Sequence, residues 1–447
     1  MARAAPRREI PLPAILALAC VLRLGWALCV DANPRTHFRF DATYYDAVAR
    51  NLVAGMGFAG YEGQPTALSP PAYPFALSIL YHLFDESLLA AKLLNVLAGT
   101  LTVLLTYLLA GRLYGPRVAT AAALLLAIFP GDIYYASLTM SEPLFTTFFL
   151  AILYLFVSWN VQASRVSAVR WLAFGALLGL TTLIRGVGLL FFPVPVTLWL
   201  LTTGFTRSTL QKALLSTLAF LAVVLPWTVR NHAVMGRPIL ISTDGAFSMF
   251  DSHSPAAGLP SPDTSRKLQE LRRRVFGDLL SLPQPRREAE MSKAEARYAI
   301  DYIRHHPLEE LRRVPARVAA LGFHDHWALD MSMSPRRSTR DGRVSLRIFG
   351  PRIDRMFSRI ATLYFFALVP FALIGAVRAF RHSERNGLIL PLTVLLFLLI
   401  HGFLVYGSPR YHAPLAPVIA ILAAWGLPRF RGTIDRADAR ELRVGPP

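Results

Sequence analysis

Two acidic residues stand out because each one adjoins strongly hydrophobic sequence. Asp41 follows the first apolar segment, within the run FRFDATYYD at residues 38–46, and Glu142 opens a later apolar segment as part of Ser141-Glu142-Pro143. An ionised carboxylate close to hydrocarbon is costly and tends to be paired or functional. Such a group can remove a proton from an attacking hydroxyl or hold a cation. The alternatives are a solvated or capping acid for Asp41 and a helix cap for Glu142.

Arginines lie beside these acids or at the ends of apolar segments. Arg39 precedes Asp41, whereas Arg185, Arg230 and Arg410 each border an apolar segment. Guanidinium groups make forked, charge-assisted bonds to phosphate, so their convergence on one surface would create a phosphate-binding site. The alternative is that each arginine reaches the lipid headgroups while its stem stays in the hydrocarbon.

Metal and nucleotide chemistry have weaker support. The triplet His324-Asp325-His326 lacks partners at a known zinc-ligand spacing, and the sequence contains no phosphate loop, no GxGxxG after a strand and no HExxH. A divalent metal ion held by Glu142 is the one cofactor that these residues leave open. Soluble nucleotide chemistry is therefore not supported by the sequence.

The composition is that of a membrane protein. The 447 residues are 54% hydrophobic and 17% charged, whereas soluble proteins carry about 25% charged residues. The net charge of +19 is typical of cytoplasmic basic loops and of attraction to anionic lipid, and it also suits phosphate-bearing substrates. Nucleic acid is excluded as a partner because the chain is so apolar and carries no nucleic-acid motif. Cys20 and Cys29 would lie about 13 Å apart along one helix, too far for a disulfide.

Hydrophobic length predicts an all-α polytopic membrane protein with about ten transmembrane helices. Arg23 interrupts the first apolar segment, which favours an uncleaved membrane helix over a signal peptide. Basic residues in the short loops place both termini in the cytoplasm and two long loops outside. The predicted helices span residues 12–30, 87–110, 118–137, 142–159, 169–184, 187–204, 211–229, 357–377, 387–406 and 412–427.

The two outer loops occupy residues 31–86 and 230–356. Helical spacing predicts a surface helix at 42–54 in the first loop and amphipathic helices at 267–280 and 287–306 in the second. Pro307 begins a further helix that Pro315 should kink or split. The resulting divisions are 1–30, 31–86, 87–229, 230–356, 357–427 and a polar cytoplasmic tail at 428–447.

The order and spacing of several short motifs carry a resemblance over residues 10–427. They are Arg23, Asp41 with Tyr44 and Tyr45, Gly55-Met56-Gly57, residues 70–74, Ser141-Glu142-Pro143, Arg185, residues 226–231 and Arg410-Tyr411-His412. This pattern resembles the GT-C membrane glycosyltransferases, specifically the protein O-mannosyltransferase and aminoarabinose lipid A transferase group (glycosyltransferase family 39-like). Two positions depart from it, since Ala42 stands where a second acid is common and Ser69 where the aminoarabinose transferases have lysine.

The resemblance implies a polyprenyl-phosphate sugar as donor and chemistry on the periplasmic face of a bacterial inner membrane. Asp41 matches the catalytic aspartate of the first loop, and Glu142 matches the acidic position of the second outer loop. The expected reaction is an inverting transfer in which Asp41 is the general base and Arg39, Arg185, Arg230 and Arg410 bind the donor phosphate. The candidate sugar- or acceptor-binding residues are Tyr44, Tyr45, Tyr73, Tyr411 and His412.

Other functions use the same kind of substrate. A transporter or flippase for a lipid-linked sugar would need the arginines but no base, and a surface-polysaccharide ligase would share the donor. Transporters often show internal repeats and broken helices, and the sequence has no clear repeat. The acceptor stays open between a lipid, a glycan and a protein hydroxyl.

Overall fold

The computed structural model describes residues 10–36, 41–158, 167–191, 204–258, 262–322, 324–333, 351–382 and 385–428. Within these ranges the regular elements are helices, and the sole pairing of extended backbone is an isolated bridge between Ala59 and Pro65. The all-α prediction is therefore confirmed for the described part of the chain.

We number the α-helices in chain order. Among the described residues, three 3₁₀ turns accompany them, at Tyr135–Ser137, Arg385–Leu388 and Pro409–Leu415. The helices are α1 (Leu12–Cys29), α2 (Asp41–Val53), α3 (Ala72–Leu83), α4 (Leu88–Tyr114), α5 (Pro116–Ala127), α6 (Pro130–Tyr134), α7 (Glu142–Ser158), α8 (Ala168–Ile184), α9 (Gly188–Phe191), α10 (Arg207–Met235), α11 (Asp244–Ser252), α12 (Pro262–Leu280), α13 (Arg286–His305), α14 (Pro307–Leu321), α15 (Trp327–Met333), α16 (Pro351–His382), α17 (Ile389–Phe403) and α18 (Ala416–Gly426).

Several helices are long and apolar enough to cross a membrane. By length and composition α1, α4, α10 and α16 qualify among the described residues, and α7, α8 and α17 are shorter apolar helices. The predicted span 118–137 is instead broken, because α5 and Pro130–Ser137 meet at an angle of 51°. Most of the predicted helix 187–204 lies outside the described residues. The chain is thus polytopic, while the count of about ten stays a prediction.

Close helix packing builds the bundle around small residues. Gly175 of α8 lies against the backbone of Ser216 in α10, and Gly375 of α16 lies against the backbone of Leu422 in α18, at distances that leave no room for a Cβ atom. In a membrane the hydrophobic effect does not drive helices together, because lipid is as apolar as their side chains. Small residues let the helices approach closely, so that close packing can hold them together. These contacts pack α8, which Arg185 follows, against α10, and α18, which Arg410 precedes, against α16.

The first loop folds onto the bundle through α2 and α3. Seven of the 13 residues of α2 are buried, so its apolar face packs against protein rather than lying along the membrane surface. Asp46 anchors the helix, because its carboxylate accepts hydrogen bonds from Arg35 Nε (3.0 Å), Arg50 Nε (2.9 Å) and the Tyr81 hydroxyl (2.7 Å). Asp46 is therefore occupied by structural bonds.

The second loop contains the predicted amphipathic helices, observed as α12 and α13. The following helix, α14, runs through Pro315 without splitting. Glu310 precedes the proline and binds Arg313 (3.1 Å) and Arg317 (2.8 Å). These bonds tie the turns on both sides of Pro315, which explains why the loss of one backbone hydrogen bond does not break the helix.

Candidate active site

Arg410 joins the two predicted catalytic acids. It lies in the 3₁₀ turn before α18, and its Nη2 donates to Asp41 Oδ2 at 2.5 Å while its Nε donates to Glu142 Oε1. Only 12% of the Arg410 side chain is exposed. The fold thus brings the start of α2, the start of α7 and the 3₁₀ turn before α18 to one point.

Arg185 extends this arrangement from the end of α8. Its Nη1 lies 2.9 Å from Glu142 Oε1 and donates to the Ser141 hydroxyl at 3.0 Å. Asp41, Arg410, Glu142 and Arg185 therefore form a chain of alternating charge, which we call the charged cluster. Both arginines bind Oε1 of Glu142, and within the described ranges Oε2 has no hydrogen-bond partner.

Aromatic side chains fix the orientation of Arg410. Its guanidinium lies 5.2 Å from the ring centre of Trp327 and 5.9 Å from that of Tyr411. Tyr411 is held in turn, because its hydroxyl donates to the Tyr406 hydroxyl at 3.1 Å. Cations over aromatic faces are stabilised by the ring quadrupole. The neighbouring aromatic rings therefore hold the Arg410 guanidinium in place together with the two carboxylates that it binds.

The electrostatics of Asp41 favour the ionised state. Burial opposes the charge and tends to raise the pKa, but Arg410 and Arg185 together hold the pKa of Asp41 below its ordinary value. The side chain nevertheless remains 41% exposed. At neutral pH Asp41 is thus a charged partner of Arg410, and in this state it is a weak proton acceptor.

The predicted sugar-binding tyrosines divide into two places. Tyr45 contacts the charged cluster, since its hydroxyl lies 3.5 Å from the Ser141 hydroxyl, and its ring packs on Tyr73 with centres 5.2 Å apart. Tyr44 faces another way, toward Thr66 at 2.9 Å and the ring of Tyr61 at 5.4 Å. Tyr45 therefore lies beside the charged cluster with Tyr73 packed on it, whereas Tyr44 lies on another side.

His412 has both ring nitrogens engaged. Nδ1 lies 2.6 Å from the Leu321 carbonyl oxygen and Nε2 lies 2.7 Å from Asp325 Oδ1. A carbonyl oxygen only accepts, so Nδ1 carries a proton and donates. His412 ties the last outer turn to the end of α14, and its predicted role as a sugar ligand would require one of these bonds to break.

The residues that the structure describes do not fit a metal site. The rings of His324 and His326 stack with centres 3.9 Å apart, and across the described ranges no group of three or more His, Cys, Asp or Glu side chains is placed to hold a metal ion. Asp41 and Glu142 both bind Arg410, whose charge occupies the position that a cation would take. We therefore assign no step of the reaction to a metal.

The structure does not bring Arg230 into contact with the charged cluster. Its Nη1 donates to the Thr66 carbonyl at 2.6 Å, its Nη2 donates to the Phe58 carbonyl at 2.9 Å, and its guanidinium covers the Trp227 ring at 4.8 Å. These bonds close the first loop over the end of α10. The fourth predicted phosphate ligand, Arg39, lies outside the described residues.

Substituting Arg230 with lysine separates a structural role from phosphate binding. A lysine cannot bind both carbonyl oxygens while it stacks on an indole. We therefore expect the free energy of unfolding to fall by about 1–3 kcal/mol, because a carbonyl oxygen is left without its hydrogen bond. Donor affinity should be unchanged. Thermal unfolding and donor titration of Arg230→Lys in lipid nanodiscs check this. Unchanged thermal stability combined with weakened donor binding would instead support the phosphate role predicted from the sequence.

Asp244 is an exposed acid that sequence reasoning did not single out. It begins α11 in the second loop, and the charges of Asp41, Arg410 and Arg185 act on it. No motif surrounds Asp244 in the sequence. The sequence signal was a single acid followed by glycine at the start of a short helix. This pattern is common in loops and does not by itself indicate a functional residue.

Comparison with known families gives a partial sequence match. Residues 69–229 match the family described as dolichyl-phosphate-mannose-protein mannosyltransferase. An undecaprenyl phosphate-alpha-4-amino-4-deoxy-L-arabinose arabinosyl transferase of Pseudomonas aeruginosa (strain UCBPP-PA14) is 31% identical over 201 residues, which are 43% of this chain and 36% of that protein. A similarly named transferase of Pseudomonas fluorescens is 28% identical over 198 residues. The chain matches about a third of the length of these relatives.

Solved structures extend the likeness to nearly the whole chain. The oligosaccharyltransferase of Archaeoglobus fulgidus in its apo form superposes with a TM-score of 0.55 at 15% identity, covering 99% of this chain and 53% of that one. The same enzyme in complex with an inhibitory peptide and a dolichol-phosphate gives 0.51 at 16% identity, covering 98% and 52%. Similarity at this identity shows the fold. The family match and this shared fold together place the chain in the GT-C glycosyltransferase superfamily.

Proposed function

We propose that this protein is a glycosyltransferase that moves a sugar, with inversion, from a polyprenyl-phosphate donor to a hydroxyl on an extracytoplasmic acceptor. The observation that carries the proposal is the convergence of Arg185 and Arg410 on Glu142, beside Asp41. The relatives support such a donor, because they are named as undecaprenyl phosphate-alpha-4-amino-4-deoxy-L-arabinose arabinosyl transferases. The structure of the archaeal enzyme, which contains a dolichol-phosphate, supports it as well.

The two arginines suit a departing phosphate. The bond from the anomeric carbon to the phosphate oxygen breaks in the reaction, so negative charge grows on the phosphate. Each guanidinium has five N–H groups, and the bonds to Asp41, Glu142 and Ser141 use only some of them. Glu142 offsets the repulsion between the two cations and holds them at one place. A phosphate can then bind both arginines without a large rearrangement.

The acceptor hydroxyl must lose a proton as it attacks the anomeric carbon. Asp41 is the base that the sequence predicts. Its bond to Arg410 adds another task, which is to hold that guanidinium beside Glu142. In the proposed arrangement Tyr45 and Tyr73 lie on the inner side of the site, and the second loop covers it from outside. We place this site on the periplasmic face of a bacterial inner membrane, with a lipid, glycan or protein as acceptor.

Turnover of labelled donors tests the proposal. Purified protein in lipid nanodiscs would receive polyprenyl-phosphate sugars and envelope acceptors, and sugar transfer would be measured. We expect transfer by the wild type and a decrease of roughly 10–150-fold for Asp41→Asn, because a charge-assisted bond to Arg410 worth about 1.5–3 kcal/mol is lost. Asp301→Asn, an exposed carboxylate on α13, is the matched control and should behave like the wild type.

The opposite outcome is equally clear. A wild-type protein that binds these donors and transfers sugar to no acceptor would contradict the transferase assignment. Movement of the intact donor across a liposome membrane under the same conditions would then identify a flippase.

A further inference from the structure

The side chains of His412 and Asp325 form a buried pair next to the turn that carries Arg410. His412 follows Arg410 in the 3₁₀ turn Pro409–Leu415, and its Nε2 lies 2.7 Å from Asp325 Oδ1. Its Nδ1 donates to the Leu321 carbonyl at 2.6 Å. Only 5% of the His412 side chain and 8% of the Asp325 side chain are exposed, so water has little access to either bond.

The geometry requires this pair to hold two protons. One proton is on His412 Nδ1, because the Leu321 carbonyl oxygen can only accept a hydrogen bond. A bare Nε2 at 2.7 Å from an ionised Asp325 would set two lone pairs against each other, so a second proton must lie between these atoms. The pair is then either imidazolium with carboxylate or neutral imidazole with carboxylic acid. Neither form has a net charge, which suits a buried site.

The surroundings of the pair favour retention of the shared proton. Burial raises the pKa of Asp325, the bond to His412 opposes the rise, and the charge of Asp132 adds to it. The Phe365 ring stacks on the His412 ring with centres 4.7 Å apart, and an aromatic face stabilises a cation. The ionisable groups that act on the pair are Asp132, which binds Arg23, together with Tyr134, Tyr135 and His324.

The bond between His412 and Asp325 joins the two segments that place the Arg410 guanidinium. His412 belongs to the turn that carries Arg410 into the charged cluster. Asp325 lies just before Trp327, whose ring centre is 5.2 Å from that guanidinium. The Asp325 carboxylate also lies against Gly131 of α6, in the space that a Cβ atom would occupy. The pair therefore fixes the turn and the indole ring relative to each other and to α6.

We infer that Asp325 and His412 are positioning residues that hold Arg410 in the charged cluster through a proton shared between their side chains. The inference rests on the proposed transferase function and replaces the sugar-binding role predicted for His412. When the shared proton is lost at alkaline pH, His412 has one proton for two acceptors, so one of its bonds breaks. The turn can then move relative to Trp327, and Arg410 loses the geometry that suits a departing phosphate.

Asp325→Asn tests the shared proton without emptying the site. The asparagine amide can donate to a bare Nε2 of His412 while Nδ1 still donates to the Leu321 carbonyl, so the second proton is no longer needed. At neutral pH this variant should transfer sugar at nearly the wild-type rate. As the pH is raised, kcat of the wild type should fall, whereas kcat of Asp325→Asn should stay constant.

Alanine variants remove the pair altogether. Asp325→Ala and His412→Ala should each lower kcat by about 10²-fold, because a misplacement of about 1 Å at a reacting group has this effect. KM for the donor should change much less, since Arg185 keeps its own bond to Glu142. His82→Ala is the matched control, because His82 is an exposed histidine on α3, and it should behave like the wild type.

Thermal unfolding measured against pH gives a readout that needs no sugar transfer. At neutral pH the folded pair holds two protons, whereas the unfolded side chains of His412 and Asp325 together hold about one. Stability falls with rising pH wherever the folded state binds more protons, so the contribution of the pair is present at lower pH and is lost as the pH rises. The Tm of the wild type should therefore fall relative to that of Asp325→Asn as the pH is raised.

Other results would overturn the inference. A kcat that falls with pH in both the wild type and Asp325→Asn, or in neither, would show that no shared proton positions the turn, as would a difference in Tm that does not depend on pH. A wild-type kcat in His412→Ala would contradict the positioning role, and a loss confined to KM would restore the sugar-binding role of His412. A wild type that transfers no sugar would remove the proposed function, while the Tm comparison would still decide whether the proton is shared.

Discussion

Arg410→Lys is expected to reduce sugar transfer by about 10²–10³-fold, as the loss of one preorganised charge donor does in other enzymes. Lysine keeps the positive charge, but it is a single point charge without a planar fork. It cannot bind Asp41 and Glu142 together, stack on Trp327 and still present N–H groups to a phosphate. The loss should therefore appear mainly in kcat, where the departing phosphate carries the most charge.

The measurement is the initial rate of transfer from a labelled donor in nanodiscs. Arg273→Lys on α12 is the matched control, because this arginine is exposed in the second loop. It should retain the wild-type rate. A wild-type rate in Arg410→Lys would contradict a role for its forked bonds in catalysis and would leave Arg185 as the phosphate ligand.

Glu142→Gln is expected to lower the free energy of unfolding by about 3–5 kcal/mol, the usual cost of breaking a buried ion pair from one side. The Glu142 side chain is only 2% exposed, so water cannot replace the lost charge. Glutamine keeps the shape, but Arg185 and Arg410 then face each other without the shared carboxylate. Transfer should also fall, because the two cations no longer stay together.

A double-mutant cycle tests the cause of this loss. Removing one cation in Glu142→Gln/Arg185→Met should recover part of the stability, since less uncompensated charge remains buried. Glu62→Gln is the control, because Glu62 is an exposed carboxylate of the first loop that also faces an arginine. Equal stability of Glu142→Gln and the wild type would show that the charged cluster contributes little to the fold.

Much of the helical framework was predictable from hydrophobic length. The segment 142–159 appears as Glu142–Ser158. The helix predicted at 42–54 appears as Asp41–Val53, but it is packed against protein and does not lie along the membrane surface. Segment 118–137 is the exception, because Pro130 follows Phe129 and cannot donate the backbone bond that would continue α5. Proline and glycine at positions 130 and 131 were visible in the sequence, but the apolar run around them concealed the break.

Part of the site was also predictable, and part was not. Asp41 and Glu142 were recognisable as acids beside hydrocarbon, and the structure joins them through Arg410. Arg230 looked equivalent to Arg410 in sequence, yet it binds carbonyl oxygens of the first loop. Its environment depends on residues far away in the chain, which no local pattern describes.

By itself the sequence determined that this chain is a helical membrane protein with acids and arginines at the ends of its apolar segments. Hydrophobic length and loop charge are local properties, so they can be read along the chain. Only the tertiary structure decided which of these groups meet, since Asp41 lies 369 positions from Arg410. Contacts at that separation arise from how the helices pack, and packing depends on the shapes of all the helices together.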